Sequence, residues 1–401
     1  MKILFLSQWF PYPPNNGSKI RIYNILRGLA EQHEITLVSF TTNQDVEIDT
    51  SPLRSLCREI HVVRWKPYNP TSLRASLGYF SLKPRYVMDT LSSEMKALIE
   101  RVLSDENYDL AIASEMGMAG YASSFKGVPA LLDELELGGY YQRYANELSP
   151  GRRMRNGLTW YKQRRYTAGL LKNFKAATVV SQPELDLLRR VDPGFEAVEV
   201  IPNCIRLEDY SGSYEAPQPD TLVFSGSFKF NPNFEAMQWF LKEVYPLVSA
   251  SVSDVRLAIT GDPAGRPLTL AQGVTLTGFL EDIRPLVASS WACLAPIHTG
   301  GGTRLKIIEA MALKTPVIAT SKGAEGIEIQ NGKNILIADT PKAFAQAVIE
   351  LLKNPDLRRE LSTNAFRLVQ EKYDWAVVMP RFLSLVEKSA SSETSRLEVL
   401  A

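Results

Sequence analysis

The stretch Ala292–Thr320 reads ACLAPIHTGGGTRLKIIEAMALKTPVIAT. It opens on a short apolar run, ACLAPI, of the length and composition of a fully buried strand. Three glycines follow. The segment RLKIIEAMALK then reads as an amphipathic helix. Pro316 introduces a second apolar run, PVIAT. Strand, glycine loop, helix and strand are the repeating unit of a parallel α/β sheet.

The same alternation extends in both directions. MKILFLS is a first strand, Ile22, Ile25, Leu26 and Leu29 mark a helix face, and EITLVSF is a second strand. DLAIAS, PALLD, ATVVS and AVEVIP continue the series. At Ser211 a polar stretch with two prolines, SGSYEAPQPD, interrupts it as a linker would. TLVFSGS, a helical NFEAMQWFLKEVYPLV, VRLAITG, VTLTG, ACLAPI, PVIAT and ILIAD follow. Asp339 or Thr340 caps the helix PKAFAQAVIELLKN, with Pro341 in its first turn. The expected organisation is α/β: a doubly wound domain over 1–210, a linker over 211–220 and a second such domain over 221–375. A last helix at about 376–390 returns to the first domain.

A chain of 401 residues exceeds one ordinary core, which fits two domains. Its 45% apolar and 22% charged residues belong to a globular protein, and a net charge of +1 argues against a dedicated nucleic-acid binder. Cys57, Cys204 and Cys293 are odd in number and match no zinc spacing, so they read as buried thiols. MKILFLS is too short for a signal sequence, and the expectation is a cytoplasmic protein.

Ligands of open parallel sheets bind beyond the C-terminal strand ends. Gly300, Gly301, Gly302 and Thr303 sit there, opening a helix whose first amides carry partial positive charge. Arg304 and Lys306 add cations, so the stretch reads as a diphosphate site. The glycines alone would also make a tight turn, and Lys306 with Glu309 would also make a surface ion pair at i, i+3. Glu309 is placed to accept two hydrogen bonds from a ribose diol. Gly226 ends the first strand of the second half. In the first half, PPNNGSK holds Gly17 and Ser18 between strand and helix; it is neither a dinucleotide fingerprint nor a P-loop. Glu115 follows DLAIAS, and Asp133 and Glu134 close PALLDE. These are candidate acceptor-orienting groups, with helix caps or solvated loop charges as the alternative. Residues 151–175 carry eight lysines and arginines and no acid, interleaved with aromatics and leucines. That pattern suits peripheral contact with an anionic membrane, or an anionic or lipid-linked acceptor, and equally a solvated helix packed on its own domain.

These motifs together resemble glycosyltransferase family 4. The opening FPYPPNNGSKIRIYNILRGLAEQHEITLVSF, the segments VVSQPELDLL and VIPNCIRLEDY (similar to V-P-N-G-V-D), the run GGGTRLKIIEAMALKTPVIATSKGAEGI and the terminal FRLVQEKYDWAVVMPRFLSLV carry the resemblance. It implies the GT-B fold, two Rossmann-like domains facing a central cleft, and a retaining transferase using a nucleotide-activated sugar, without a catalytic metal or other cofactor. The resemblance assigns Gly17 to the diphosphate loop, Glu309 to the second glutamate of an E-x7-E pattern and Phe279, in TGFLED, to the nucleobase. Three positions depart from the family. Gly301 stands where the first glutamate would fall, which leaves His298 as a candidate contact for the donor sugar. Ser227 and Pro232 stand where the family often has arginine and lysine, and Arg304 and Lys306 are expected to compensate. The reading is a hexosyltransferase using a UDP-sugar, with glucose as the candidate sugar, and a glycan or glycolipid acceptor in polysaccharide synthesis. A nucleotide-sugar epimerase of the same fold, or a catalytically silent nucleotide-binding partner, are the alternatives.

Overall fold

The computed structural model describes residues 1–42, 49–125, 127–302 and 304–391. The chain divides into two units, Met1–Pro202 with the chain from Met379 onward, and Asn203–Val378. The division falls shortly before the polar stretch 211–220. Its cause is local: Ile205 N–H donates to the Tyr373 carbonyl at 3.0 Å and Trp375 N–H to the Ile205 carbonyl at 2.9 Å, which ties the segment after Pro202 to the second unit.

The first unit contains β1 (Lys2–Ser7), β2 (Glu34–Thr41), β3 (Glu59–Arg64), β4 (Leu110–Ser114), β5 (Ala130–Asp133), β6 (Ala176–Val179) and β7 (Val198–Val200). They form one parallel sheet in the order β3-β2-β1-β4-β5-β6-β7. β4 and β5 are buried along their whole length, and β1 after its first residue, which is why their sequences are continuous apolar runs. β3 is absent from the apolar runs read in the sequence. It is an edge strand, half-exposed, and charged Glu59 and Arg64 bound a run that His61 interrupts.

The second unit repeats the plan with β8 (Thr221–Ser225), β9 (Arg256–Thr260), β10 (Val274–Gly278), β11 (Ala292–Ala295), β12 (Val317–Ala319) and β13 (Leu336–Ile337). Its parallel sheet runs β10-β9-β8-β11-β12-β13. Phe224, Phe240, Leu294 and Phe344 centre its core. Of the two expected caps, Thr340 is the one that acts: its side chain accepts from Ala343 N–H. The helix Trp375–Ala390 starts in the second unit, and its part from Met379 belongs to the first. There Arg381 donates to the Val200 carbonyl at 3.0 Å. Gly28 meets Met379 so closely that a Cβ at this position would lie 2.3 Å from the methionine methyl, so the helix Gly17–Ala30 packs backbone-first against it. Cys57, Cys204 and Cys293 are buried thiols outside any disulfide.

Candidate functional site

In each sheet the strand order reverses once, between β1 and β4 and between β8 and β11. Connections leave these neighbours in opposite directions, which opens a crevice beyond their C-terminal ends.

At the β8/β11 reversal two loops meet. Gly226, directly after β8, has φ +152°, and a Cβ there would lie 2.5 Å from Asn233 Nδ2 and 2.8 Å from Lys306 Nζ. Both conformation and space therefore demand glycine. After β11, Gly300 (φ +87°) and Gly302 (φ +82°) take left-handed conformations. A Cβ on Gly300 would crowd Pro232 and Phe230 of the β8 loop, at 2.9 and 3.2 Å. The glycine run thus does more than turn the chain: it lets two loops close on each other at the start of the helix Leu305–Ala312.

Lys306 is on the first turn of that helix and points back to the β8 loop. Its ammonium donates to Asn233 Oδ1 at 3.0 Å and lies 4.0 Å from the Phe224 ring centroid. Its hydrogen-bond partner is an amide, not a carboxylate. Burial pushes its pKa down to about 7; Arg304 acts in the same direction, and Glu309 opposes it. Such a cation is poised to recover its proton when an anion arrives.

Glu309 lies one turn further on. Tyr210, on the short turn Leu207–Tyr210, donates its hydroxyl to Glu309 Oε1 at 2.8 Å. Burial raises the pKa of Glu309, while the Tyr210 bond and Lys306 hold it down. Burial, with Glu309 beside it, lifts the Tyr210 phenol well above its ordinary value. Nothing in the sequence singles out Tyr210. Its role follows from the packing of a segment 99 residues away.

Arg304 differs from its expected role. Its guanidinium is turned onto the loop itself, donating to the carbonyls of Gly301 at 2.8 Å, Gly300 at 3.0 Å and Thr299 at 3.1 Å, and the residue is 8% exposed. A left-handed loop leaves its carbonyls facing inward, and a planar fork gathers them. Arg304 is therefore a brace that holds the loop's shape. Thr303 lies outside the described residues. His298 packs edge-on against Trp239, 4.5 Å between centroids, and desolvation lowers its pKa. Phe279 follows β10 directly and is 57% exposed, an uncovered aromatic on the same edge of the sheet.

In the first unit, Asn16 caps the helix Gly17–Ala30, and a Cβ on Gly17 would meet nothing within 4 Å. At the neighbouring strand end Glu115 has φ +67° and accepts from Trp9 Nε1 at 3.0 Å. Burial raises its pKa to about 7; hydrogen bonds from Ser18 and Trp9 counter this, and Glu136 adds to it. Glu115 and Ser18 are thus one cluster at the β1/β4 reversal. Asp133 has a different place. It is fully buried, bound by Arg21 at 2.7 and 3.0 Å and by the Thr178 hydroxyl at 2.7 Å. Arg21 also donates to the Ile201 carbonyl at 2.9 Å. Asp133 is a structural counter-ion that ties the first helix to β5 and to the end of β7. Glu134, next to it, has φ +60°, and its burial raises its pKa well above the usual range. Among the described residues, no three His, Cys, Asp or Glu side chains gather as metal ligands would. No helix there is long and apolar enough to cross a membrane.

Residues 219–354, which contain Gly226, Asn233, the glycine run, Lys306 and Glu309 but not Tyr210, match the family of glycosyl transferases group 1. An uncharacterized 44.6 kDa protein in the cps region of Klebsiella pneumoniae is 26% identical over 164 residues, which cover 38% of this chain and 42% of that protein. The chain spans less than half the length of the curated relatives it matches. Among solved structures, sucrose-phosphate synthase from Thermosynechococcus elongatus superimposes with a TM-score of 0.69 at 17% identity, over 97% of this chain and 99% of that one. Anabaena HepE, solved in complex with UDP and glucose, gives 0.66 at 14% identity, over 97% and 100%. These likenesses show the fold: two α/β domains of the GT-B type.

Proposed function

We propose that this protein is a retaining glycosyltransferase of family 4. It moves a hexose from a UDP-sugar, with glucose as the candidate sugar, to a glycan or lipid-linked acceptor in polysaccharide synthesis, and uses no catalytic metal. The observation that carries this reading is the meeting of Gly226, Gly300, Lys306 and Glu309 at the reversal point of the second sheet.

The diphosphate is received by amides at the start of the helix Leu305–Ala312 and by Lys306. Lys306 Nζ sits against Gly226 and Asn233, which flank Ser227 and Pro232, the positions where the family usually has cations. Its position supports compensation by Lys306, with Arg304 acting indirectly through the loop. Glu309, oriented by Tyr210, takes the ribose diol, and Phe279 meets the base. In the first unit, Gly17 and Ser18 open the helix Gly17–Ala30 with free amides, and Glu115 is the acceptor-orienting group beside Ser18. His298 is the side chain left to contact the donor sugar, since Gly301 has none.

The reaction that suits these groups is front-face substitution. The bond from the anomeric carbon to the phosphate oxygen breaks, the acceptor oxygen bonds to the same face, and its proton passes to the departing phosphate oxygen. The enzyme then supplies position and stabilises negative charge on the leaving group. Incubation with UDP-, GDP- and dTDP-sugars, followed by NMR of the anomeric proton, tests the reading. Expected is UDP release with the configuration kept. An epimerised nucleotide sugar with no UDP release, or binding without turnover, would overturn it.

A further inference from the structure

Lys306 reaches the β8 loop from a different element, the helix after β11. A lysine stem is long and rich in rotamers, so a cation sent across in this way needs a group that holds its head in place. Asn233 is such a group. It lies in the first turn of the helix Asn231–Trp239, is 8% exposed, and has both ends of its amide engaged. Nδ2 donates to the Ser227 carbonyl at 2.9 Å, and Oδ1 accepts from Lys306 Nζ at 3.0 Å. The first bond fixes which end of the amide meets the lysine. A flipped amide would set its NH2 against the ammonium and its oxygen against the Ser227 carbonyl, turning two attractions into two repulsions. The space for this arrangement comes from Gly226, where a Cβ would lie 2.9 Å from Asn233 Cγ.

The other immediate neighbours of the ammonium are also neutral. The Phe224 ring of β8 has its centroid 4.0 Å away. The Cys293 thiol of β11, pushed up to about 12 by burial, keeps its proton. Two charged groups act on Lys306 through space, Arg304 with the same sign and Glu309 with the opposite one. Arg304 is turned onto the carbonyls of its own loop. Glu309 accepts the Tyr210 hydroxyl and also feels Arg284. Among the described residues no carboxylate forms an ion pair with Lys306. An amide oxygen holds an ammonium and leaves its net charge in place, whereas a carboxylate would hold it and cancel it.

We infer, on the premise that this site takes a nucleotide sugar, that Asn233 is a positioning residue: it aims the Lys306 ammonium at the end of β8 and, being neutral, leaves that charge for the donor's diphosphate. Ser227 and Pro232 bring no cation to this loop. The residue after Pro232 recruits one from the neighbouring helix instead. Aspartate at 233 would match asparagine in size and accept the same bond from Lys306, so the two differ in charge and in the Ser227 bond that aspartate gives up.

Calorimetry of UDP-glucose binding between about pH 7 and pH 9 tests this, with Asn233→Asp, and with Asn233→Ala alone and combined with Lys306→Met. Carbon NMR of the Lys306 side chain in the free protein, assigned through Lys306→Met, reads its protonation without any donor. In Asn233→Asp the lysine is expected to titrate higher, towards its ordinary range. That variant should bind about tenfold more weakly at pH 7, and its binding should take up no proton and ignore pH over this range. Asn233→Ala should bind about tenfold more weakly in the wild-type background and cost nothing further in Lys306→Met, because Asn233 acts through the lysine. Thermal melting will verify that each variant is folded. An Asn233→Asp protein with wild-type lysine titration and proton uptake would overturn the inference. So would an Asn233→Ala loss of equal size with and without Lys306, which would mark a brace of the loop. Both of these leave the donor site standing; a wild-type protein that binds no nucleotide sugar would overturn the site and the inference together.

Discussion

The burial of Lys306 predicts that nucleotide-sugar binding takes up a proton, and that can be measured. Its pKa is pushed down to about 7 by burial, with an amide as hydrogen-bond partner. At pH 8 a group with that pKa is about 90% neutral in the free protein. A diphosphate placed beside it favours the ammonium, so binding must take up a proton. The nucleotide sugar itself has no phosphate proton to exchange there, which assigns the uptake to the protein. Calorimetry of UDP-glucose binding at pH 8, in buffers of different ionisation enthalpy, should therefore show uptake of about one proton (roughly 0.9 by the same fraction). The dissociation constant should rise nearly tenfold per unit as pH increases above 7, since the competent protonated form becomes scarcer. Lys306→Met should abolish the uptake, flatten the pH dependence and weaken binding by about 2–3 kcal/mol at neutral pH. Tight binding with no proton uptake in the wild type would refute the reasoning.

Three other predictions follow from particular contacts. Glu309→Gln should lower affinity for UDP about tenfold or more, because a ribose diol loses its anionic acceptor; Tyr210→Phe, which frees the same carboxylate, should cost less, and titration of both variants will show the order. Gly226→Ala should reduce UDP-sugar turnover more than tenfold in steady-state assays, because a Cβ there meets Asn233 Nδ2 and Lys306 Nζ at 2.5 and 2.8 Å. Arg21→Met should destabilise the protein by about 3–5 kcal/mol in urea unfolding, by leaving Asp133 buried without its counter-ion; Arg21→Met with Asp133→Leu should recover part of that loss.

The parallel strands were legible in the sequence where burial on both faces writes a continuous apolar run, as in ILFLS and LAIAS. β3 was not, because its short half-exposed run EIHVVR is broken by His61 and bounded by charge. At the site, the glycines announced a close approach of backbone, and the structure shows what approaches: the β8 loop with Phe230 and Pro232. Lys306 and Glu309 were candidates from their place behind those glycines, and the structure puts both, buried, on the helix that follows the loop. The direction of a long side chain is not in the spacing, so Arg304 was expected to face a ligand and instead holds three carbonyls of its own loop. Likewise Asp133 stands at a strand end, as an acceptor-binding group would. Only the position of Arg21, 112 residues away, reveals it as a counter-ion. Tyr210 and Asn233 became visible only through their contacts, since a tyrosine in a loop and an asparagine in a helix carry no pattern of their own.

A crystal structure of the protein soaked with UDP-glucose addresses the central claim most directly. The diphosphate is expected against the first amides of the helix Leu305–Ala312 and Lys306 Nζ, with the ribose hydroxyls on Glu309. A nucleotide sugar bound away from the β8/β11 strand ends, with Lys306 still bonded to Asn233, would contradict it.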